Sequence, residues 1–106
     1  MNYYKEHQAL LREVKLTLQK KYPKARIFDR HVGVFRLLRS SGIIRINKKG
    51  MSDLWMLYKG NHYEFEIKTG KARQTKEQKQ WEKTVVDTGS YYYIIRSLSM
   101  IECLEL

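Results

Sequence analysis

The sequence predicts an α/β protein with a small mixed β-sheet flanked by helices. Three features carry this prediction: an amphipathic stretch at the start, a hairpin pattern in the middle, and a second helical stretch that leads to an apolar strand. A hairpin pairs its strands antiparallel, whereas a helix that connects two strands of one sheet usually makes a parallel crossover. Both kinds of pairing are therefore expected in one sheet.

The first helix is predicted over residues 3–21. Its apolar residues recur at the spacing of one helix face, about 100° per residue. Pro23 follows and ends the helix. The residues on this face are Tyr3, His7, Leu10, Leu11, Val14 and Leu18.

Two short strands are predicted at 25–28 and 43–46. Between them, residues 32–39 are ambiguous between strand and loop, and Ser40-Ser41-Gly42 is a turn signal. Residues 47–50 are expected to form the loop that leads to the hairpin.

The hairpin is predicted over 53–58 and 62–68, with Lys59-Gly60-Asn61 as its turn. Because side chains alternate along a strand, the polar residues of the return strand share one face and the apolar ones share the other. Carboxylate oxygens gathered in this way are the ligands that hard divalent cations prefer. The polar residues are His62, Glu64, Glu66 and Lys68.

A second helix is predicted over 75–87, with Trp81 and Val85 inward and Gly89 at the position after the C-cap. The strand-helix-strand unit from 62 to 96 should be a right-handed crossover.

The apolar run at 91–95 predicts a strand buried on both faces. Its three tyrosines could stack on nucleobases, but burial in the sheet is the favoured interpretation. Residues 98–106 are expected to add one more short element.

Charge indicates a polyanionic partner. The chain carries 21 Lys and Arg against 11 Asp and Glu, a net charge of +10, and Asp29 is the one acid between Val14 and Ser52. An excess of this size is typical of proteins that bind nucleic acid.

Size and composition favour a single domain over residues 1–106. The polar start of the sequence predicts no signal peptide, and no apolar run approaches the length of a membrane span. Cys103 is the only cysteine, so an intramolecular disulfide is excluded and a reducing cytoplasm is expected.

Asp53 followed by Glu66-Ile67-Lys68 resembles the PD-(D/E)xK nuclease superfamily. Further elements, over roughly residues 6 to 96, make the chain similar to the VRR-NUC (virus-type replication-repair nuclease) branch, although serine replaces proline before Asp53. The matching residues are Glu6, Arg30, Gly33, Gly50-Met51-Ser52-Asp53, Glu66-Ile67-Lys68, Gly70-Lys71 and Gln78-Lys79.

The resemblance implies a restriction-endonuclease-like core and a metal-dependent endonuclease. The Asp53 and Glu66 carboxylates and the Ile67 carbonyl are then expected to bind Mg²⁺ or Mn²⁺, and Lys68 to act on water or on the charged transition state. Stand-alone relatives cut branched DNA such as Holliday junctions as homodimers. The resemblance implies the same here, in a bacterial cell or a phage-infected host.

Three residues around this set have open roles. Glu6 is a candidate for a second metal or for the catalytic water, or a solvated acid at the helix start; Glu13 lies at nearly the same angle. Gln78 either joins the catalytic site or forms a capping box with Thr75. Glu64 is expected either to be solvated or to support the metal ligands without binding the metal itself.

His7 is interpreted as a hydrogen-bonded core residue, and His31 and His62 lack the spacing of a zinc site. Five basic residues are candidates for phosphate contact: Arg30, Lys48, Lys49, Lys71 and Arg73. Two other functions stay open, a non-catalytic basic module that binds nucleic acid and a nickase or restriction-type nuclease that acts on ordinary duplex DNA.

Overall fold

The computed structural model describes residues 3–30, 33–36, 43–46 and 49–106. The elements follow in the order α1 (Tyr3–Lys21), β1 (Arg26–Asp29), β2 (Gly33–Arg36), β3 (Ile43–Ile46), β4 (Leu54–Tyr58), β5 (Asn61–Ile67), α2 (Lys76–Asp87), β6 (Tyr91–Ile95) and α3 (Leu98–Glu102). The predicted helices, hairpin and short strands are thus present, and the ambiguous segment 32–39 contains β2. The predicted turn at residues 40–42 lies outside the described residues.

A mixed sheet of four strands, in the order β1-β4-β5-β6, forms the centre of the fold. β1 pairs with β4 and β4 with β5 in antiparallel fashion, whereas β5 and β6 are parallel and are connected by α2. β2 and β3 form a separate antiparallel pair. The prediction of a small mixed sheet flanked by helices is confirmed.

One face of the sheet is apolar and carries the core. The register places Leu54 opposite Phe65 and Phe65 opposite Tyr93, so these side chains share that face. Helices α1 and α3 pack there, with Val14, Leu18 and Ile101 fully buried. The polar residues of β5 consequently point to the opposite face, where α2 lies beside them.

The end of the chain is attached to the end of α1. The Lys21 ammonium donates to the carbonyls of Ile101 (2.9 Å), Glu102 (2.7 Å) and Leu104, and the Tyr22 hydroxyl donates to Leu104 at 2.9 Å. Unpaired carbonyls at a helix C-terminus attract a cation in this way. In the described part of the chain, no helix is long and apolar enough to cross a membrane.

The prediction that 91–95 is buried on both faces is wrong. β6 is an edge strand in which only Ile95 is buried, and Tyr91 is 46% exposed. The rings of Tyr91 and Tyr93 stack on Tyr63 and Phe65 of β5, at centroid distances of 5.1 and 5.7 Å. A tyrosine that stacks on its neighbour can leave its polar tip in water, so an apolar run of tyrosines is compatible with an edge.

Candidate functional site

Asp53 and Glu66 meet where β4 begins and β5 ends. Asp53 directly precedes β4, and its carboxylate Oδ2 accepts a hydrogen bond from the Ile67 backbone N–H at 2.8 Å. Its backbone carbonyl accepts from the N–H of Arg30 at 2.9 Å. The hairpin therefore holds the two acids together, as the alternation of the strands predicts.

The Glu66 carboxyl is buried in an unfavourable electrostatic position. It is 3% exposed, and its burial, followed by the negative charge of Asp53, raises its pKa to about 8 even though Lys68 acts in the opposite direction. Glu66 Oε2 is buried without a hydrogen-bond partner among the described residues. Buried polar atoms are normally paired, and a hydrogen bond with Asp53, which only the protonated Glu66 carboxyl can donate, also contributes to the raised pKa.

Lys68 lies in the same polar cluster. Its ammonium nitrogen is 3.8 Å from Glu66 Oε1 and donates to Gln78 Oε1 at 2.7 Å. Its backbone N–H donates to the Ile95 carbonyl at 3.0 Å, which extends the parallel pairing of β5 and β6. With only 9% of its surface exposed, Lys68 is held in one place by the sheet and by α2.

Gln78 both caps α2 and belongs to the site. Its backbone N–H donates to Thr75 Oγ1 at 3.1 Å and its Oε1 accepts from the Thr75 N–H at 2.9 Å, which is the capping box. The same Oε1 accepts from Lys68, and Nε2 donates to Glu66 Oε1 at 3.1 Å. The two predicted roles are therefore compatible, and the start of α2 is attached to the acid and the lysine at once.

The first helix brings His7 to the site. His7 Nε2 lies 3.1 Å from the Ile67 carbonyl oxygen and 3.4 Å from Asp53 Oδ2. The expected hydrogen bond is present, but His7 is 26% exposed and lines the site instead of the core. Glu6, the predicted helix acid, is exposed and lines neither of the two cavities that touch Asp53.

Asp53 separates these two cavities. One, of about 380 Å³, is lined by Tyr3, Tyr4, His7, Asp53, Glu66, Ile67, Lys68, Thr69, Ala72 and Gln78. The other, of about 300 Å³, is lined by Gln8, Leu11, Arg12, Lys15, Asp29, Arg30 and Asp53. The candidate site is therefore accessible from both sides of the same carboxylate.

Glu64 is the centre of a buried polar network. It is 1% exposed, and its oxygens accept from Arg30 at 2.5 and 3.1 Å, from Trp81 Nε1 at 3.0 Å, and from Ser52 and His62. Burial alone would raise the pKa of Glu64, but the hydrogen bonds outweigh it and the pKa is below its ordinary value. Of the two expectations for Glu64, solvation is wrong, because α2 covers the strand face on which Glu64 lies, whereas a supporting role behind the metal ligands stays a prediction.

Arg30 is committed to this network. Its side chain is 9% exposed, and its guanidinium lies over the Trp81 ring, 5.6 Å from the centroid, while it pairs with Glu64. A guanidinium with these contacts has little surface left for a phosphate, and phosphate contact by Arg30 stays a prediction. Ser52, which precedes Asp53, is fully buried, and its hydroxyl accepts from Arg30 at 3.0 Å.

Three of the remaining basic candidates lie within the described residues, and all three are exposed. Lys49, Lys71 and Arg73 all have exposed side chains, and the charge of Lys49 contributes to lowering the pKa of Glu77 after that residue's own backbone hydrogen bond. Lys48 and His31 lie outside the described residues.

A close backbone approach joins the loop before Asp53 to α2. Gly50 has φ +93°, and a Cβ at this position would lie 2.6 Å from the carbonyl carbon and oxygen of Glu77. Only glycine combines this conformation with this contact. Gly50 thereby sets the distance between the loop that delivers Asp53 and the helix turn that carries Gln78.

The candidate donors for a cation are few. In the described ranges, no group of three or more His, Cys, Asp or Glu side chains is arranged to hold a metal ion. The site instead offers two carboxylates, Asp53 and Glu66, beside one backbone carbonyl, that of Ile67.

Comparison of the sequence with protein-family models gives no match, and comparison with curated proteins gives none. The chemistry of the site is therefore argued from its own geometry.

Proposed function

We propose that the protein is a metal-dependent DNA endonuclease with a PD-(D/E)xK core of the VRR-NUC type. The observation that carries this proposal is the buried Glu66 carboxyl, with one unpartnered oxygen and a pKa of about 8, beside Asp53. Two carboxyls in such a position repel each other unless a proton or a cation lies between them. A protein that only binds DNA has no use for this arrangement, since it also repels phosphate.

The residues fit a hard divalent cation. Glu66, Asp53 and the Ile67 carbonyl supply oxygen donors of the kind that Mg²⁺ and Mn²⁺ prefer, and Glu66 Oε2 is the donor without a present partner. When bound, such a cation activates water and neutralises charge on the phosphoryl group under attack. The donor set includes only two side chains, and the described part of the chain holds no group of three or more His, Cys, Asp or Glu side chains that could hold a metal ion.

Lys68 and Gln78 supply the rest of the chemistry in this proposal. The Lys68 ammonium, fixed by Gln78 at 2.7 Å, can orient the attacking water and stabilise the negative charge that develops on the phosphate. Gln78 acts as a positioning residue, because it holds Lys68 through its oxygen and Glu66 through its nitrogen. Loss of either contact would leave the ammonium free to adopt other rotamers.

Branched DNA is the proposed substrate, cut by a homodimer. This part of the proposal rests on the resemblance to VRR-NUC proteins and on the net charge of +10. A two-fold dimer would present one site to each of two strands of a symmetric junction.

Cleavage assays test the proposal directly. Wild type, Asp53→Ala, Lys68→Ala and the control Asp87→Ala, an exposed acid in α2, are incubated with labelled four-way junction, flap and linear duplex in Mg²⁺, Mn²⁺ or EDTA. We expect wild type and Asp87→Ala to cut the junction only with metal, and the other two variants to be inactive. Cleavage that survives EDTA or Asp53→Ala would overturn the metal-nuclease proposal.

The same assay separates the alternatives. Equal cleavage of linear duplex and junction would favour a restriction-type or nicking enzyme, and retention of DNA without any cleavage would favour a binding module. Sizing chromatography with and without junction DNA tests the homodimer, since a 12.8 kDa monomer in both conditions would contradict it.

A further inference from the structure

Three aromatic rings form a column across the polar face of the sheet. Phe28 of β1 stacks on Trp55 of β4 at a centroid distance of 4.2 Å and an interplanar angle of 18°, and Trp55 stacks on His62 of β5 at 5.4 Å and 19°. The register explains the first contact, because Phe28 and Trp55 are direct cross-strand partners. The three rings are nearly parallel and lie on three neighbouring strands.

The column ends at an exposed edge. β1 is the outermost strand of the four-stranded sheet, and Phe28, the last ring of the column among the described residues, is 40% exposed. An open groove of about 840 Å³ runs beside it, and Lys24, Arg26 and Phe28 are among the residues that line it. We call this the β1 groove.

The β1 groove has a positive charge and an apolar ring in the same place. Arg26 and Lys24 are exposed, and the acid nearest in the chain, Asp29, is already paired with Lys15 at 2.5 Å. Single-stranded nucleic acid is bound by this combination, with cations along the backbone and aromatic rings on which bases stack. An apolar protein surface could pack on the exposed ring, but it would not need the two cations.

We propose that the β1 groove binds an unpaired strand of DNA, with a base stacked on Phe28 and phosphates on Lys24 and Arg26. The inference extends the proposed function and rests on it, because the nuclease proposal defines where the DNA is cut. Trp55 is the second residue of β4 and Asp53 directly precedes that strand, so the two residues are about 7 Å apart along the chain. Because Arg26 pairs with Leu57 and Phe28 with Trp55, a DNA strand that runs along β1 from Arg26 to Phe28 approaches the end of β4 at which Asp53 lies.

The inference defines the substrate class. Within a continuous duplex, both faces of each base are already stacked on neighbouring bases, so Phe28 can stack on a base only where the duplex is interrupted. The enzyme should therefore prefer DNA with a single-stranded segment beside the bond that it cuts, such as a flap or an open junction, over continuous duplex.

Fluorescence anisotropy in EDTA measures the binding without cleavage. The probe is a labelled thymidine oligonucleotide, and the variants are Phe28→Leu, Phe28→Tyr and, as a control for an exposed apolar residue elsewhere, Leu16→Ala. We expect Phe28→Leu to bind roughly tenfold more weakly, the effect of losing one stacked base. Phe28→Tyr retains a ring and should bind like wild type, as should Leu16→Ala.

Charge is tested by Arg26→Gln beside Arg96→Gln, an exposed arginine that follows β6 at the opposite edge of the sheet. Because each phosphate contact on a single strand contributes about 0.7 to the slope of log affinity against log salt, Arg26→Gln should make this slope shallower by about 0.7. Arg96→Gln should leave the slope as in wild type.

Three results would overturn the inference: wild-type affinity in Phe28→Leu, an equal salt slope in both arginine variants, or tighter binding of a duplex or an oligoribonucleotide of the same length. Failure of the nuclease proposal is recognised separately. If wild type cuts no DNA but Phe28→Leu still loses affinity for the oligonucleotide, the β1 groove is supported as a binding site for single-stranded DNA and the nuclease proposal is rejected.

Discussion

The Arg30 guanidinium forms two hydrogen bonds, of 2.5 and 3.1 Å, with the Glu64 carboxylate, and water reaches almost none of either side chain. Trp81 of α2 donates to the same carboxylate at 3.0 Å. The pair therefore connects the end of β1, the middle of β5 and the helix that carries Gln78. Glu66 lies two residues after Glu64 on β5, and the Asp53 carbonyl accepts a hydrogen bond from the Arg30 N–H at 2.9 Å.

Replacement of Arg30 should be strongly destabilising. Arg30→Ala leaves the buried Glu64 charge without its main partner, and the free energy of unfolding should fall by about 3–5 kcal/mol. The control is Lys15→Ala, which breaks the exposed pair with Asp29 and should have an effect below about 1 kcal/mol. Urea denaturation measures both, and equal effects would show that burial of the pair is irrelevant.

Glu66→Gln should stabilise the metal-free protein at neutral and mildly alkaline pH. Glu66 has its pKa raised to about 8, so between its ordinary pKa near 4.5 and 8 the folded state holds more protons than the unfolded state. Stability from this group is therefore full at acidic pH and is lost as the pH rises through this range. At pH 8 the variant should gain on the order of 4 kcal/mol, and the gain should vanish towards pH 4.5.

Glu64→Gln is the matched control, with the opposite sign. The pKa of Glu64 is lowered, so its charged form stabilises the fold above its ordinary pKa and this contribution is lost as the pH falls. We expect Glu64→Gln to lower the melting temperature at neutral pH. Thermal scans across pH with EDTA distinguish the two variants. Destabilisation by Glu66→Gln at pH 8 would contradict the inference that ionisation of Glu66 is unfavourable in the folded state.

The two roles of Gln78 can be separated. Thr75→Ala removes the side-chain cap of α2 and should lower stability by about 1 kcal/mol while DNA cleavage is retained. Gln78→Ala removes the contacts with Lys68 and Glu66 as well, so cleavage should fall by on the order of a hundredfold. The comparison uses initial cleavage rates at a temperature where both variants are folded, and equal rates would reduce Gln78 to a capping residue.

Gly50→Ala should disturb the site through the backbone. The new Cβ would lie 2.6 Å from the Glu77 carbonyl, and both the contact and the positive φ resist it, so stability should fall by about 2–5 kcal/mol. Gly60→Ala is the control: it also has positive φ, but nothing lies within 4 Å, and a loss of only about 1–2 kcal/mol is expected. Similar losses in both would mean that the approach to Glu77 is unimportant.

Local sequence patterns were enough to predict the helices and strands and to assign residues to the polar face of the hairpin. Alternation along residues 62–68 correctly placed Glu64 and Glu66 on one face, and the capping box at Thr75 marked the start of α2. Because these features depend on residues that are close in sequence, they can be predicted without knowledge of the tertiary structure.

What covers a face depends on long-range packing. Alternation gives no indication that Trp81, Arg30 and Ser52 converge on Glu64, although the inward position of Trp81 was a usable signal that α2 faces the polar side. His7 was likewise correctly placed on the inner stripe of its helix. Its contact with Ile67 follows from where that stripe crosses the end of β5.

The attachment of Lys21 to α3 has a practical consequence for protein engineering. His7 and Lys21 lie fourteen residues apart in α1, a distance of about 21 Å along the helix axis. A fluorophore or affinity tag joined after Leu106 would therefore be held at the end of the molecule that is remote from the acids. The same tag placed before Tyr3 would stand at the mouth of the cavity that Tyr3 and Tyr4 line.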